Sequence, residues 1–85
     1  MTNQGQLPRV FVDFQNSDRL GRVRLSTVGT IHDLNRLGIS LSEGTQLLLY
    51  CLELEAQGTA TYSAEEGGWV AIIDWGQIQD RPGNK

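Results

Sequence analysis

His32 is the chain's only histidine and it stands beside an acid, Asp33, which is the pairing a carboxylate-oriented general base would need. Neighbours on a helix point about 100° apart, however, so these two do not face each other readily. No serine or cysteine nucleophile stands at a spacing that pairs with them. The sequence therefore assigns no catalytic residue, and His32 reads as a solvent-facing residue of a helix's first turn. A metal site needs three or four converging ligands; one histidine, one cysteine and scattered acids do not supply that spacing, so no metal is expected. Glu65-Glu66 reads as a solvated hairpin tip, and Asp13 to Asp18 lacks the twelve-residue pattern of a calcium loop. The glycines stand apart rather than in a phosphate-cradling fingerprint, so no cofactor is expected either.

Two other sets of residues point to binding rather than to reaction. Arg9, Arg22 and Arg24 gather near Phe11 if the first two strands pair, and cations around an exposed aromatic suit an acidic protein surface or an RNA backbone with a stacked base. Trp69 and Trp75 are six residues apart and share a strand face. Trp69 suits the core, whereas Trp75, at the strand's end and followed by Gly76, suits the rim of a partner surface, since tryptophan and arginine are common interface anchors.

Charge narrows the partner class. The chain of 85 residues carries a net charge of -3, which disfavours nucleic acid as a partner of the whole surface. The charge is uneven: residues 1–26 hold four arginines against two aspartates, and the remainder is acidic. The longest apolar run, Leu47 to Leu52, is far too short to cross a membrane, and the first residues lack the basic and apolar regions of a secretion signal. The expectation is a cytoplasmic protein with no membrane contact, with Cys51 reduced and buried as a small hydrophobe.

Residues 1–8 read as a flexible N-terminal arm, 9–76 as a single β-rich domain and 77–85 as a flexible C-terminal tail. Arg9 to Phe14 alternates with Val10, Val12 and Phe14 inward, and Arg22 to Ser26 resumes the alternation after a turn at Gly21. The simplest pairing is a hairpin with Phe14 opposite Val23, Val12 opposite Leu25 and Asp13 opposite Arg24. One short helix is expected near residues 30–37, capped by Thr30, ended by Gly38, and presenting Ile31, Leu34 and Leu37 on one face. Thr45 to Glu55 reads as a strand in preference to a helix, because a helix would be apolar all round. Ala56-Gln57-Gly58 then reads as a turn, Thr59 to Ser63 as a strand open at its edge, and Trp69 to Trp75 as the closing strand.

The expected fold is mainly β (α+β): about five antiparallel strands forming a strongly curved sheet or a small partly open barrel. In element length and turn spacing it resembles small SH3-like barrels, a type that hosts many functions. The leading functional expectation is a small non-enzymatic module for protein interaction or regulation. It would bind another protein through Arg9, Phe11, Arg22, Arg24 or Trp75, or a second copy of itself by adding strands at a sheet edge. The alternative is an RNA-binding barrel using the arginine-rich first hairpin. An enzyme working through His32 with Asp13, Asp33 or Asp74 ranks last, for want of a nucleophile, base and orienting group that come together.

Overall fold

A computed structural model describes residues 7–80. Residues 1–6 of the expected arm and 81–85 of the expected tail lie outside the described residues. The strands are β1 (Arg9–Phe11), β2 (Val23–Arg24), β3 (Gln46–Tyr50), β4 (Leu54–Ser63), β5 (Gly68–Ile73) and β6 (Gln79–Asp80), with one helix, α1 (Val28–Leu37), and a 3-10 turn at Trp75–Gln77. The main sheet has the order β1-β3-β4-β5-β2 and is curled into a half-barrel, the small, partly open, SH3-like form expected from the strand pattern. Past the expected domain end at residue 76, β6 adds a short antiparallel pairing to Leu54 and Glu55 of β4.

The sheet is mixed. β1 runs parallel to β3, while every other strand pair is antiparallel. A parallel pair needs a crossover, and α1 lies on the path from β1 to β3 and provides it. The expected hairpin between the first two strands is thereby corrected. β2 pairs with β5, placing Arg24 opposite Val70, and a smaller hairpin joins Asn16 and Ser17 to Val23 and Arg24 around the Asp18–Gly21 turn. The inward residues keep their faces all the same: Val10, Val12, Phe14, Val23 and Leu25 are all buried.

Two further boundaries move. The helix begins at Val28, not Thr30, and Thr27 caps it. Thr30 is fully buried, and its hydroxyl donates to the Phe11 carbonyl. Thr30, Asp33 and Leu34 face inward while Ile31 and Leu37 are exposed, so of the expected apolar face only Leu34 joins the core, beside two polar residues. Thr45 to Glu55 is strand as expected, but only to Tyr50. The chain turns at Cys51–Glu53, where the Cys51 N–H donates to Leu54, and then enters the ten-residue β4.

Ala56-Gln57-Gly58 is therefore not a turn but the middle of β4. The inner face of that strand carries Ala56, Gly58 and Ala60, all buried, with Gly58 opposite Leu47 and Ala56 opposite Leu49. In a tightly curled sheet the inner side chains crowd together, so a central strand of small residues makes room for the large ones beside it. Leu47 and Leu49 fill that space and are fully buried. Thr59 to Ser63, expected at an edge, lies between β3 and β5 or under the loop before β3.

Candidate functional site

The three acids considered with His32, namely Asp13, Asp33 and Asp74, each accept a backbone N–H. Asp33 on α1 reaches the outer edge of β1, where its Oδ2 accepts the Phe11 N–H at 2.9 Å and the Tyr50 hydroxyl at 2.8 Å. Its Oδ1 accepts from Arg36 at 3.2 Å. Burial alone would raise the pKa of this carboxyl, but the Phe11 N–H, the Tyr50 hydroxyl and the Arg36 guanidinium outweigh it and leave the pKa below its ordinary value. With Thr30 on the Phe11 carbonyl, both polar groups of that edge residue are satisfied by helix side chains. His32 is exposed and its Nδ1 stands 4.0 Å from Asp33 Oδ1, beyond hydrogen-bond reach.

The same arrangement recurs elsewhere. Asp18, almost fully buried, accepts the Leu20 and Arg22 N–H groups through Oδ1 and the Arg22 guanidinium through Oδ2. Burial raises its pKa, and the Arg22 N–H, the Arg22 side chain and the Leu20 N–H more than reverse that. Glu43 caps β4 by accepting the Tyr62 N–H and the Thr61 hydroxyl, which lower its pKa. Asp13 accepts the Gln15 N–H, and Asp74 accepts the Gly76 N–H at the start of the 3-10 turn. Among the described residues no group of three or more His, Cys, Asp or Glu side chains converges as a metal site.

The arginine group is divided by the topology. Arg9 and Phe11 lie on β1, and Arg24 lies on β2 with three strands of the sheet between them. Arg9 pairs with Glu55 and lies 5.1 Å over the Tyr50 ring. Arg22 pairs with Asp18, and Arg24 pairs with Glu66 while donating to Asn16. Arg19 and Arg36 are paired as well, so every described arginine already faces a carboxylate. Phe11 packs edge-on to Tyr50 and beneath Gly29 of α1, where an added Cβ would stand 2.6 Å from its ring. Arginine, aromatic and arginine thus do not assemble into one base-stacking face.

Trp75 is where the sequence placed an accessible aromatic, and it is 46% exposed. It sits on the 3-10 turn rather than in β5, and its indole Nε1 donates to the Gly21 carbonyl at 2.9 Å. Phe14 meets it edge-on with ring centroids 6.5 Å apart. Gly21 permits this with a φ of +81°, open to glycine at little cost. The same turn carries exposed Leu20 and Arg19, with Arg22 just beyond. Trp69 and Ile73 are partly buried against the core and Ala71 is fully buried.

A further site was not found by the spacing of residues. A cleft of about 470 Å³ opens between the start of α1 and the β3–β4 turn, with Phe11, Val12 and Gly29 in its wall, Cys51 and Leu52 on the turn side, and Asp13 and Glu53 among its lining. Leu52 and Glu53 had read as continuing strand, so the turn that brings them beside α1 left no periodic signal. No protein-family model matches this chain, and no curated protein and no solved structure is significantly similar to it. Among the described residues no helix is long and apolar enough to cross a membrane.

Proposed function

We propose that this protein is a non-enzymatic interaction module that binds another protein at the rim formed by Trp75 and the Asp18–Gly21 turn. The observation that carries the reading is a tryptophan half exposed yet fixed on two sides, by the Gly21 carbonyl and by the edge of Phe14. A large side chain already held in one orientation loses little freedom on binding, which makes it an effective anchor. The turn that holds it through Gly21 also presents the exposed side chains of Leu20 and Arg19. Strand addition is a weaker route: Phe11 on β1 is capped by Asp33 and Thr30, and β2 is covered by Asn16 and Ser17. A lone cysteine requires no oxidising compartment, and a cytoplasmic location is part of the same proposal.

Replacing Trp75 with alanine removes one hydrogen bond and one ring contact at a half-exposed site, a loss of roughly 1–2 kcal/mol that the fold should survive. Binding should weaken much more, by at least about tenfold, as for a central aromatic anchor. The check is affinity capture from the native cell, comparing wild type, Trp75→Ala and Ile72→Ser, an apolar position of similar exposure on β5. A protein retained by wild type and Ile72→Ser but lost by folded Trp75→Ala supports the reading. Capture that Trp75→Ala leaves unchanged contradicts it.

A further inference from the structure

The cleft beside α1 has three properties that together describe an occupant. Its walls are largely apolar, built from Phe11, Val12, Gly29, Cys51 and Leu52. Next to it stand the two most exposed large hydrophobic residues among those described: Leu52, 81% exposed, and Val28, 86% exposed and adjacent to the lining residues Thr27 and Gly29. Its lining also includes two carboxylates, Asp13 and Glu53, neither of which has a cationic partner among the described residues. Elsewhere the acids are engaged: Glu55, Glu65, Glu66, Asp18 and Asp33 all pair with arginines.

We propose that this cleft docks an extended basic segment of a partner protein, with an apolar side chain seated between α1 and the β3–β4 turn and a neighbouring lysine or arginine on Asp13 and Glu53. A small polar ligand suits the cleft poorly, because no buried side-chain polar atom among the described residues lacks a partner that a ligand could satisfy. A second copy of this chain also suits it poorly, since every described arginine is already engaged by a carboxylate. A basic partner meets both demands, apolar burial and charge complementarity. This site is separate from the Trp75 rim and stands or falls independently of it.

The test is amide NMR with two pools of short synthetic peptides, each containing leucine and phenylalanine, one pool flanked by lysine and arginine and the other by glutamate. The basic pool should shift the signals of Gly29, Cys51, Leu52 and Glu53, with an affinity that falls as salt is added. A double variant, Asp13→Asn with Glu53→Gln, retains an acceptor for the Gln15 N–H and should weaken that binding about two- to thirtyfold, the span of two exposed ion pairs. Trp75→Ala should leave these shifts as they are, which separates this site from the rim. Equal shifts from the acidic pool, no shifts from the basic pool, or an affinity unmoved in the double variant would overturn the proposal. So would shifts that grow with protein concentration in the absence of peptide, the mark of a second copy in the cleft.

Discussion

Replacing Asp33 with alanine should cost roughly 2–3 kcal/mol and lower the melting temperature by about 10–20 °C, a large share of the stability of so small a domain. The carboxylate is the shared acceptor for the Phe11 N–H, the Tyr50 hydroxyl and Arg36. Removing it leaves a partly buried strand N–H and a tyrosine hydroxyl without that partner, and a buried polar group left unpaired costs more than its bond contributed. Asp33→Asn keeps an acceptor oxygen and loses the charge, so it should fall between the two. The pH dependence is a second readout. Because the folded pKa of Asp33 is lowered, its contribution is fully present above the unfolded value of about 3.9 and is lost as pH falls through the lower folded value. The gap in stability between wild type and Asp33→Ala should therefore be widest near neutral pH and narrow in acid, as denaturant unfolding across pH will show. A gap equally wide in acid would mean that the ionised carboxylate is not what stabilises the fold.

Gly58→Val should be comparably damaging for the opposite reason, too much volume. A Cβ at this position would stand 2.7 Å from Leu49 Cδ1, 3.1 Å from Ile73 Cγ2 and 3.4 Å from the Ala71 Cβ. Leu49 is fully buried, so it cannot swing out to solvent to make room. Two further methyl groups at that point force side chains off their rotamers, at the upper end of the roughly 1–3 kcal/mol typical of overpacking. Gly58→Ala should cost less, since lower unfolded-state entropy offsets part of the clash. The diagnostic partner is Leu49→Ala. Alone it opens a cavity, but combined with Gly58→Val the two volumes compensate, so the double variant should be more stable than the sum of the single losses. Additive losses would show that Gly58 and Leu49 do not share the same space.

The contrast between these positions shows what could be read from the chain. Alternation reports which side chains share a face, because the strand period is two: Val10, Val12, Phe14, Val23 and Leu25 are inside as expected, and Leu47 and Leu49, on one face of their strand, are buried together. It does not report which strand lies beside which. Val12 and Leu25 were placed opposite each other, yet the Val12 N–H donates to Tyr50 and the Leu25 N–H to Trp69, because the helix carries β3 back alongside β1. Gly58 misled for a similar reason: glycine signals either a turn or a close approach, and only the neighbouring strand distinguishes them. At the candidate site, Trp75 was legible as the accessible last residue of an expected strand, but its anchoring bond to Gly21 spans 54 positions and leaves no local pattern. Asp33 was legible as an acid beside a histidine, and its true partners, Phe11 and Tyr50, lie far away in sequence on two strands.

Asp13, Asp18, Asp33, Glu43 and Asp74 accept backbone N–H groups at the edges and turns of the half-barrel, and Asp33 is where a structural and a catalytic role differ most in consequence. A carbon-13 NMR titration of the side-chain carboxyls measures it directly. An Asp33 midpoint clearly below the ordinary aspartate value of about 3.9, unmoved by His32→Ala, is the result expected from its three hydrogen-bond donors. A midpoint at or above that value, or one that shifts when His32 is replaced, would contradict the structural role and return His32 and Asp33 to consideration as a working pair.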